Sequence, residues 1–383
     1  MDAQFSYTHS QYVVNQFRDS GAHGEFAQFL SAARCAAARA TITQWQGYCP
    51  TPLVTLSDVA AAAQVGRVFY KDESARFALG SFKALGGSYA VAELARSYKD
   101  NHGHLDGFAV ATATDGNHGR SVAWGAQRLG LECHIFIHAH VSQARADAMA
   151  ALGAQVHRTE GNYDDSLVVC ERMAAEHNWH IVSDTSWEGY ESVPLQVMAG
   201  YSVMAAEIVT QLDGLIPSHF YIPAGCGGLA GAMLAYCWPV WRGRLPRIVV
   251  VESMMADCVY RSIKSQDRVG MHIVEETLMG GLSNGEVSQV VWPLLKKGVS
   301  AVITIPDEGV MPMMRWLAKP TCAERPPIEG GECSAAGLIA LMASASDSAL
   351  ARSLGLDSTS TVLVLGTEGA TDPGFYRRAL SEA

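Results

Sequence analysis

The chain lacks the patterns that mark several classes of protein. Its nine cysteines form no Cys-x-x-Cys pair, so neither a zinc site nor thioredoxin-like chemistry is indicated, and reduced thiols in the cytoplasm are expected. It has no run of about 18 apolar residues, so no membrane span is expected. Its first residues lack the basic and then apolar pattern of a signal peptide. The net charge of −10 gives no support to nucleic-acid binding, which favours basic surfaces.

Two nucleotide-binding motifs and a metal-binding pattern are also missing. No Gly-x-x-x-x-Gly-Lys-Ser/Thr is present, which argues against a nucleoside triphosphate loop. The first strand–helix unit has no Gly-x-Gly-x-x-Gly, which weakens a dinucleotide site. His134, His138 and His140 alternate along a predicted strand and its exit without an acidic partner at ligand spacing, so no metal site is expected.

The composition and patterning predict an α/β enzyme. Of 383 residues, 49% are hydrophobic and 17% charged, which is typical of a packed globular protein with two or three lobes. Alternating strands and helices require parallel pairing with right-handed crossovers, so sheets flanked by helices are expected. The first 50 residues are weakly patterned and are expected to wrap the larger lobe. The predicted strands are 67–73, 108–113, 132–138, 154–158, 180–183, 219–223, 247–252, 301–305 and 361–366, and the predicted helices are one opening at Lys83, then 119–129, 143–152, 164–178 and 229–238.

Three short segments in a fixed order carry the chemistry. Ser81-Phe82-Lys83 follows a strand and opens a helix; the other segments are Thr114-Asp115-Gly116-Asn117-His118 and the glycine-rich turn 224–229. A lysine alone is usually a solvated surface residue. The glycine-rich turn between a strand and a helix is either an anion site for one small phosphate or a tight turn without a ligand. Together the segments indicate an aldehyde cofactor held as a Schiff base, with its ring flanked and its phosphate cradled.

On these segments the chain resembles the fold type II, tryptophan-synthase-β-like pyridoxal-phosphate enzymes over residues 50–375. The resemblance implies pyridoxal 5'-phosphate as cofactor, two lobes each with a mainly parallel twisted sheet, and a homodimer. It implies a large domain of residues 1–88 and 206–383 and a small domain of residues 89–205. Thr367 lies where the family places a neutral group near the pyridine nitrogen, which favours elimination over transamination. The other implied roles are Lys83 as Schiff-base lysine, Phe82 beside it, Asn117 at the ring oxygen, Gly225, Cys226, Gly227, Gly228 and Leu229 at the phosphate, and Thr112 and Thr114 at the substrate.

Two acids separate the chain from most serine and threonine dehydratases. Asp115 precedes Gly-Asn-His, and Asp184 follows the strand 180–183. The segments that contain these two acids, together with the segment 366–373, resemble the corresponding segments of the diaminopropionate ammonia-lyases. A carboxylate beside the cofactor repels a substrate carboxylate but can hold a β-ammonium or exchange protons. The competing interpretations are a turn residue for Asp115 and a helix cap or turn residue for Asp184.

The resemblance implies α,β-elimination of ammonia from 2,3-diaminopropionate to pyruvate and two ammonia. Lys83 removing the α-proton from one face and Asp115 from the other would let both enantiomers react. His118 is expected to be structural rather than a base. The alternatives are a dehydratase or β-replacement synthase acting on another β-substituted amino acid, and a non-catalytic cofactor-binding protein.

Two segments depart from the family pattern. Residues 281–286 read Gly-Leu-Ser-Asn-Gly-Glu where the family has a cysteine, so Cys258 is expected to be a free thiol. The turn 330–335 also differs from the family sequence. Within this turn, Glu332 is expected either to contact the cofactor or to cap a helix. Cys226 is expected to be a small residue that fits its turn rather than a reactive thiol.

Overall fold

Two sheets flanked by helices organise the chain, as the sequence predicts. The computed structural model describes residues 10–19, 21, 26, 28–114, 116–241, 244–320, 322 and 325–381. The strands are β1 (Gln11–Val14), β2 (Leu53–Thr55), β3 (Arg67–Asp72), β4 (Ala109–Ala113), β5 (Glu132–Ile137), β6 (Gln155–Arg158), β7 (His180–Ile181), β8 (His219–Pro223), β9 (Arg247–Ser253), β10 (Ala301–Ile305) and β11 (Thr361–Gly366).

The helices fill the connections between these strands. They are α1 (Ala32–Ile42), α2 (Ser57–Ala62), α3 (Lys83–His102), α4 (Asn117–Leu129), α5 (Gln143–Ala150), α6 (Tyr163–His177), α7 (Ser192–Gln211), α8 (Gly228–Val240), α9 (Cys258–Ser265), α10 (Trp292–Gly298), α11 (Val310–Ala318), α12 (Glu332–Ser346), α13 (Ser348–Leu354) and α14 (Pro373–Ser381). Helix α4 begins at Asn117, two residues before its predicted start, because Gly116 takes a positive φ of 153° at the N-cap.

The larger sheet has seven strands in the order β1-β10-β9-β8-β11-β3-β2. The five central strands are parallel, and the edge strands β1 and β2 run antiparallel to their neighbours. Every residue of β8 and β10 is buried, as expected of parallel strands covered on both faces. The weakly patterned N-terminal region therefore contributes an edge strand, since Gln11 pairs with Thr304.

The smaller sheet has four parallel strands in the order β6-β5-β4-β7. Helices α4, α5 and α6 connect β4 to β5, β5 to β6 and β6 to β7. The carboxyl ends of these strands lie at one edge of the sheet, and parallel α/β sheets bind their ligands at that edge.

Helix α7 is the longest apolar helix of the core. By length and composition it is one helix that could cross a membrane, as could α12 and α13 taken together. Its most apolar window has a mean hydropathy of 1.2 and is 78% buried inside the protein, which is the environment of a core helix.

Four buried charged side chains link α7 to the segment before Lys83. We call Lys71, Glu73, Arg76 and Glu207 the charge cluster; all four are at most 6% exposed. Arg76 donates to Glu73 Oε2 at 2.7 Å and to Glu207 Oε2 at 2.7 Å, and Lys71 Nζ donates to Glu207 Oε2 at 2.7 Å. The two cations and two carboxylates thus neutralise one another, as buried charges must. The cluster anchors the loop that delivers Lys83.

Arg76→Met is expected to lower the free energy of unfolding by about 3–5 kcal/mol, because it leaves two carboxylates with one cation in a buried site. Equilibrium urea denaturation measures this loss. The control is Arg96→Met, since Arg96 pairs with Glu93 but its side chain is 62% exposed, and a surface pair contributes about 1 kcal/mol or less. Equal losses for the two variants would contradict the role given to the cluster.

Candidate active site

A cavity opens where the carboxyl ends of strands from both sheets meet the starts of several helices. Thr114 follows β4, Ala224 follows β8 and Thr367 follows β11. Crevices at this position are the usual ligand sites of parallel α/β sheets. The described residues that line the cavity include Phe82, Lys83, Thr114, Gly116, Asn117, His118, Arg145, Tyr163, Asp184, Tyr201, residues 224–229, residues 280–282, Asn284, Cys333, Thr367 and Glu368.

Lys83 enters the cavity as the first residue of α3. In the preceding loop, Phe77 and Ala78 take φ values of 51° and 57°, which non-glycine residues rarely adopt. Residues keep such conformations only where the surrounding structure holds them in place. The backbone N–H of Phe82 donates to the Thr367 carbonyl at 3.0 Å, which ties this loop to the end of β11. The loop therefore fixes where the lysine amine points.

The amine of Lys83 donates to the carboxylate of Asp184 inside the cavity wall. Burial would raise the pKa of the Asp184 carboxyl, but the positive charge of Lys83, the nearby His118 and the hydrogen bond from Lys83 together outweigh burial and hold that pKa well below its usual range. Burial lowers the pKa of His118, so this imidazole is neutral at neutral pH. Its Nε2 lies 2.8 Å from the Val182 carbonyl, and its Nδ1 lies 3.9 Å from Asp184 Oδ2. Asp184, whose side chain is 18% exposed, is thus a partly buried carboxylate that stays ionised.

The glycine-rich turn leaves backbone N–H groups open at the start of α8. Gly227 is the N-cap with φ of 88° and makes no side-chain cap, so the first N–H groups of the helix are available to an anion. A Cβ at Gly227 would lie 2.8 Å from Leu295 Cδ1, and Gly225 packs against the Asn284 side chain. Burial raises the pKa of the Cys226 thiol to about 11, so a thiolate is not its state at neutral pH, and the residue serves as a small member of the turn.

Asn117, Thr367 and Glu368 also line the cavity. Asn117 Nδ2 donates to Glu368 Oε2, and Glu368 Oε1 accepts the backbone N–H of Cys333 at 2.9 Å. The Thr367 hydroxyl is buried without a hydrogen-bond partner among the described residues. A buried hydroxyl of this kind calls for a ligand group to satisfy it.

Comparisons with known proteins assign this chain, and with it the cavity, to a family. The sequence profile of the pyridoxal-phosphate dependent enzymes matches residues 44–367. Diaminopropionate ammonia-lyase of Escherichia coli (strain K12) is 37% identical over 376 residues, which cover 94% of each chain. The chain belongs to the diaminopropionate ammonia-lyase family. Two crystal structures of the Escherichia coli enzyme, one with an aminoacrylate–PLP azomethine reaction intermediate and one with D-serine, match with TM-scores of 0.89 and 0.90 and identities of 36% and 35%, each covering 99% of this chain and 98% of theirs.

Membership of the diaminopropionate ammonia-lyase family makes pyridoxal 5'-phosphate the cofactor, and the cavity fits that molecule. An amine at Lys83 can bond with its aldehyde, and the N–H groups at the start of α8 suit its phosphate. The unpartnered hydroxyl of Thr367 suits the pyridine nitrogen, and the amide of Asn117 suits the ring oxygen. Each polar group of the cofactor therefore has a matching group on the wall.

The structure gathers nearly all the predicted site residues of this family member. Asp115 lies outside the described residues. Thr112 is not brought into the cavity: it lies within β4 rather than past its end, fully buried, and its hydroxyl donates to the Ala113 carbonyl at 3.3 Å. Predicted residues on the wall are Phe82, Lys83, Thr114, Asn117, Asp184, Gly225, Cys226, Gly227, Gly228, Leu229 and Thr367.

Glu368, Arg145 and Tyr201 are among the wall residues that were not predicted as site residues from sequence. Glu368 directly follows Thr367, so a search for acids beside the predicted site would have found it. Arg145 and Tyr201 lie on helices without a motif, and no sequence signal marks them. Cys258 is an unpaired, buried thiol, as predicted. Within the described part of the chain, no group of three or more His, Cys, Asp or Glu side chains is arranged to hold a metal ion.

Proposed function

We propose that this enzyme eliminates ammonia from 2,3-diaminopropionate, so that with one water each substrate gives pyruvate and two ammonia. The observation that carries the proposal is the ionised carboxylate of Asp184 in contact with the amine of Lys83, inside a cavity built for pyridoxal phosphate. A partly buried carboxylate at this place suits a substrate with a second ammonium and does not suit one that is electrically neutral at Cβ.

Bound pyridoxal phosphate supplies an aldehyde that bonds with amines and a conjugated ring that takes up the electron pair left by the α-proton. Lys83 would hold the cofactor through its amine and would be the base that takes the α-proton from one face. Asp115 is proposed to act from the other face, which would let both enantiomers react. Asp184 would hold the β-ammonium, which departs as neutral ammonia, or, if the β-amine is bound neutral, would pass on to it a proton taken up from Lys83.

The remaining wall residues orient the cofactor. Glu368 accepts from Asn117 Nδ2, which fixes how the Asn117 amide faces the ring oxygen. Thr367 offers a neutral hydroxyl to the ring nitrogen, and a nitrogen left largely unprotonated favours elimination over transamination. The turn of Gly225, Gly227 and Gly228 holds the phosphate through backbone N–H groups.

A dehydratase acting on a β-hydroxy amino acid is the second candidate. The Escherichia coli relative has been crystallised with D-serine, so a hydroxyl at Cβ fits a closely similar site. In addition, both segments that depart from the family pattern line the cavity here, through Asn284 and Cys333. These differences are expected to lie near the side chain of the bound substrate, where they could change which substrate is accepted.

The stoichiometry of ammonia to keto acid separates the two functions. Purified enzyme loaded with pyridoxal phosphate is assayed with both enantiomers of 2,3-diaminopropionate, serine and threonine. We expect two ammonia per pyruvate from diaminopropionate, and a kcat/KM for it well above that for serine, which yields one ammonia. A higher kcat/KM for serine would favour the dehydratase. Yellow protein that makes no keto acid from any of these substrates would favour a non-catalytic binding protein.

The enzyme is further proposed to act as a homodimer in the cytoplasm, with residues 89–205 as a small domain. The homodimer rests on the resemblance to fold type II enzymes. The location is supported by nine cysteines that are all unpaired, as in a reducing compartment. The domain is supported by the four-stranded sheet, whose strands all fall between Ala109 and Ile181.

A further inference from the structure

Tyr201 places a buried hydroxyl on the cavity wall that the roles above do not use. It lies in helix α7, the residue is 1% exposed, and its hydroxyl has no hydrogen-bond partner among the described residues. Lys83 and Asp184 are near enough for their charges to act on this hydroxyl. Buried hydroxyls are normally paired in folded proteins, so this one calls for a partner that reaches it when the site is at work.

A close crossing of helices α3 and α7 holds the ring of Tyr201 in place. A Cβ at Gly86 of α3 would lie 2.4 Å from Tyr201 Cε1, and a Cβ at Gly200 of α7 would lie 2.2 Å from a backbone oxygen of α3, so both helices need glycine where they meet. The ring centroids of Phe82 and Tyr201 are 4.8 Å apart. The hydroxyl is therefore held beside the first turn of α3, where Lys83 lies.

Lys83 needs a second partner because its ion pair with Asp184 keeps its amine protonated. Burial would lower the pKa of this amine, but its neighbours, Asp184 first among them, hold that pKa well above its usual range. A protonated amine has no lone pair, so it can neither bond with an aldehyde nor take an α-proton. Lys83 becomes reactive only when one proton passes to the Asp184 carboxylate, and the neutral amine then has no charge that holds it in place.

The hydroxyl of Tyr201 suits a neutral amine. Burial raises the pKa of the phenol well above its usual range and outweighs the opposing charge of Lys83, so the group is uncharged. Its oxygen can accept an N–H of the amine, which leaves the lone pair of the nitrogen free. An uncharged partner of this kind orients the amine without favouring its protonated form, whereas the carboxylate of Asp184 favours that form.

We propose that Tyr201 is a positioning residue, whose hydroxyl holds the neutral amine of Lys83 once that amine has left its ion pair with Asp184. The assignment rests on the proposed function for the role of Lys83 and for the β-ammonium that takes the place of its amine at Asp184. Removal of the hydroxyl should therefore weaken ligands that bond with Lys83 and spare ligands that only fill the cavity.

Ligand binding to protein freed of its cofactor tests this proposal. Pyridoxal 5'-phosphate and pyridoxamine 5'-phosphate share a ring and a phosphate, but the second has no aldehyde to bond with Lys83, and each is titrated by calorimetry and absorbance. We expect Tyr201→Phe to weaken pyridoxal phosphate about 5- to 20-fold and to slow its attachment by a similar factor, while the affinity for pyridoxamine phosphate changes by less than about twofold. In the loaded enzyme, kcat for diaminopropionate should fall about 10-fold with KM nearly unchanged.

The control is Tyr221→Phe. The hydroxyl of Tyr221 is also buried and unpaired in the described part of the chain, but it belongs to strand β8 and does not line the cavity formed by the described residues. This variant should leave both affinities unchanged. Tyr201→Phe should fold as stably as wild type, since the hydroxyl that it removes leaves no partner behind.

The proposal is overturned if Tyr201→Phe leaves the affinity for pyridoxal phosphate unchanged or weakens both ligands equally. If Tyr201→Phe does not fold, Asp184→Asn decides. Its Lys83 amine has lost the carboxylate, so pyridoxal phosphate should still bind within about fivefold of wild type through the help of Tyr201, and a larger loss would overturn the proposal.

Two results separate this proposal from the proposed function. Wild-type protein that binds pyridoxal phosphate no more tightly than pyridoxamine phosphate would reject Lys83 as the residue that bonds with the cofactor, and the role of Tyr201 with it. A selective loss of affinity for pyridoxal phosphate in Tyr201→Phe, together with a wild-type enzyme that makes no pyruvate from diaminopropionate, would reject the proposed substrate and leave the role of Tyr201 standing.

Discussion

Lys83→Ala is expected to abolish the absorbance of bound cofactor and the release of ammonia together. The amine of this residue is proposed both to bond with the cofactor aldehyde and to take the α-proton of the substrate. Activity should fall by at least about 10³-fold, because one change removes two roles. Spectra of the purified protein with added pyridoxal phosphate and a coupled pyruvate assay measure the two losses.

The control for this prediction is Lys99→Ala, since Lys99 is an exposed lysine of the same helix. Treatment with borohydride should fix the cofactor on the peptide that contains Lys83 in wild-type and Lys99→Ala protein, and mass spectrometry locates the adduct. A yellow or active Lys83→Ala variant would show that another residue holds the cofactor.

Asp184→Asn is expected to lower kcat for diaminopropionate by about 10²- to 10⁴-fold while the cofactor stays bound. The amide is nearly the same size, but it cannot take up a proton and carries no charge for the β-ammonium. The change also removes the partner of Lys83 and the charge 3.9 Å from His118 Nδ1. Steady-state kinetics with each enantiomer, together with the absorbance of the bound cofactor, measure these effects.

Two further variants serve as comparisons for Asp184→Asn. Asp213→Asn is the control, because Asp213 is an exposed acid after α7 and Asn tolerates its φ of 45°. Asp115→Asn should lower activity with one enantiomer selectively, whereas equal losses for both would indicate a purely electrostatic role. A kcat within threefold of wild type for Asp184→Asn would exclude Asp184 from proton transfer and from binding the β-ammonium.

Much of the secondary structure was predictable because it depends on local patterns. The strands Ala301–Ile305 and Thr361–Gly366 have the predicted bounds, since each is an apolar run that ends at a proline or a glycine. Strand β1 and helix α1 were not predicted. Strand β1 is mostly exposed at the edge of its sheet and depends on pairing with β10, so its own residues show no buried face.

The residues of the candidate site also fall into two groups, those that the sequence predicted and those that it did not. The motif residues Lys83, Asn117 and the turn of Gly225 to Gly228 were identified because three short segments in a fixed order resemble those of the fold type II enzymes, and a strand, a turn and a helix start place each of them locally. The charge cluster was not, because Lys71 sits inside a predicted strand and meets Glu207 only after folding.

The order of residues along the chain determined the α/β class, because strand period, glycine turns and helix starts are short-range properties, and the resemblance of three short motifs to a known family indicated the cofactor. Tertiary structure decided which side chains share the cavity. It alone joins Asn117 to Glu368 and Arg145 to Glu332, and it alone leaves Thr112 covered while Thr114 reaches the wall. These contacts depend on how two sheets pack against each other, and neither segment of such a pair carries a pattern that names its partner.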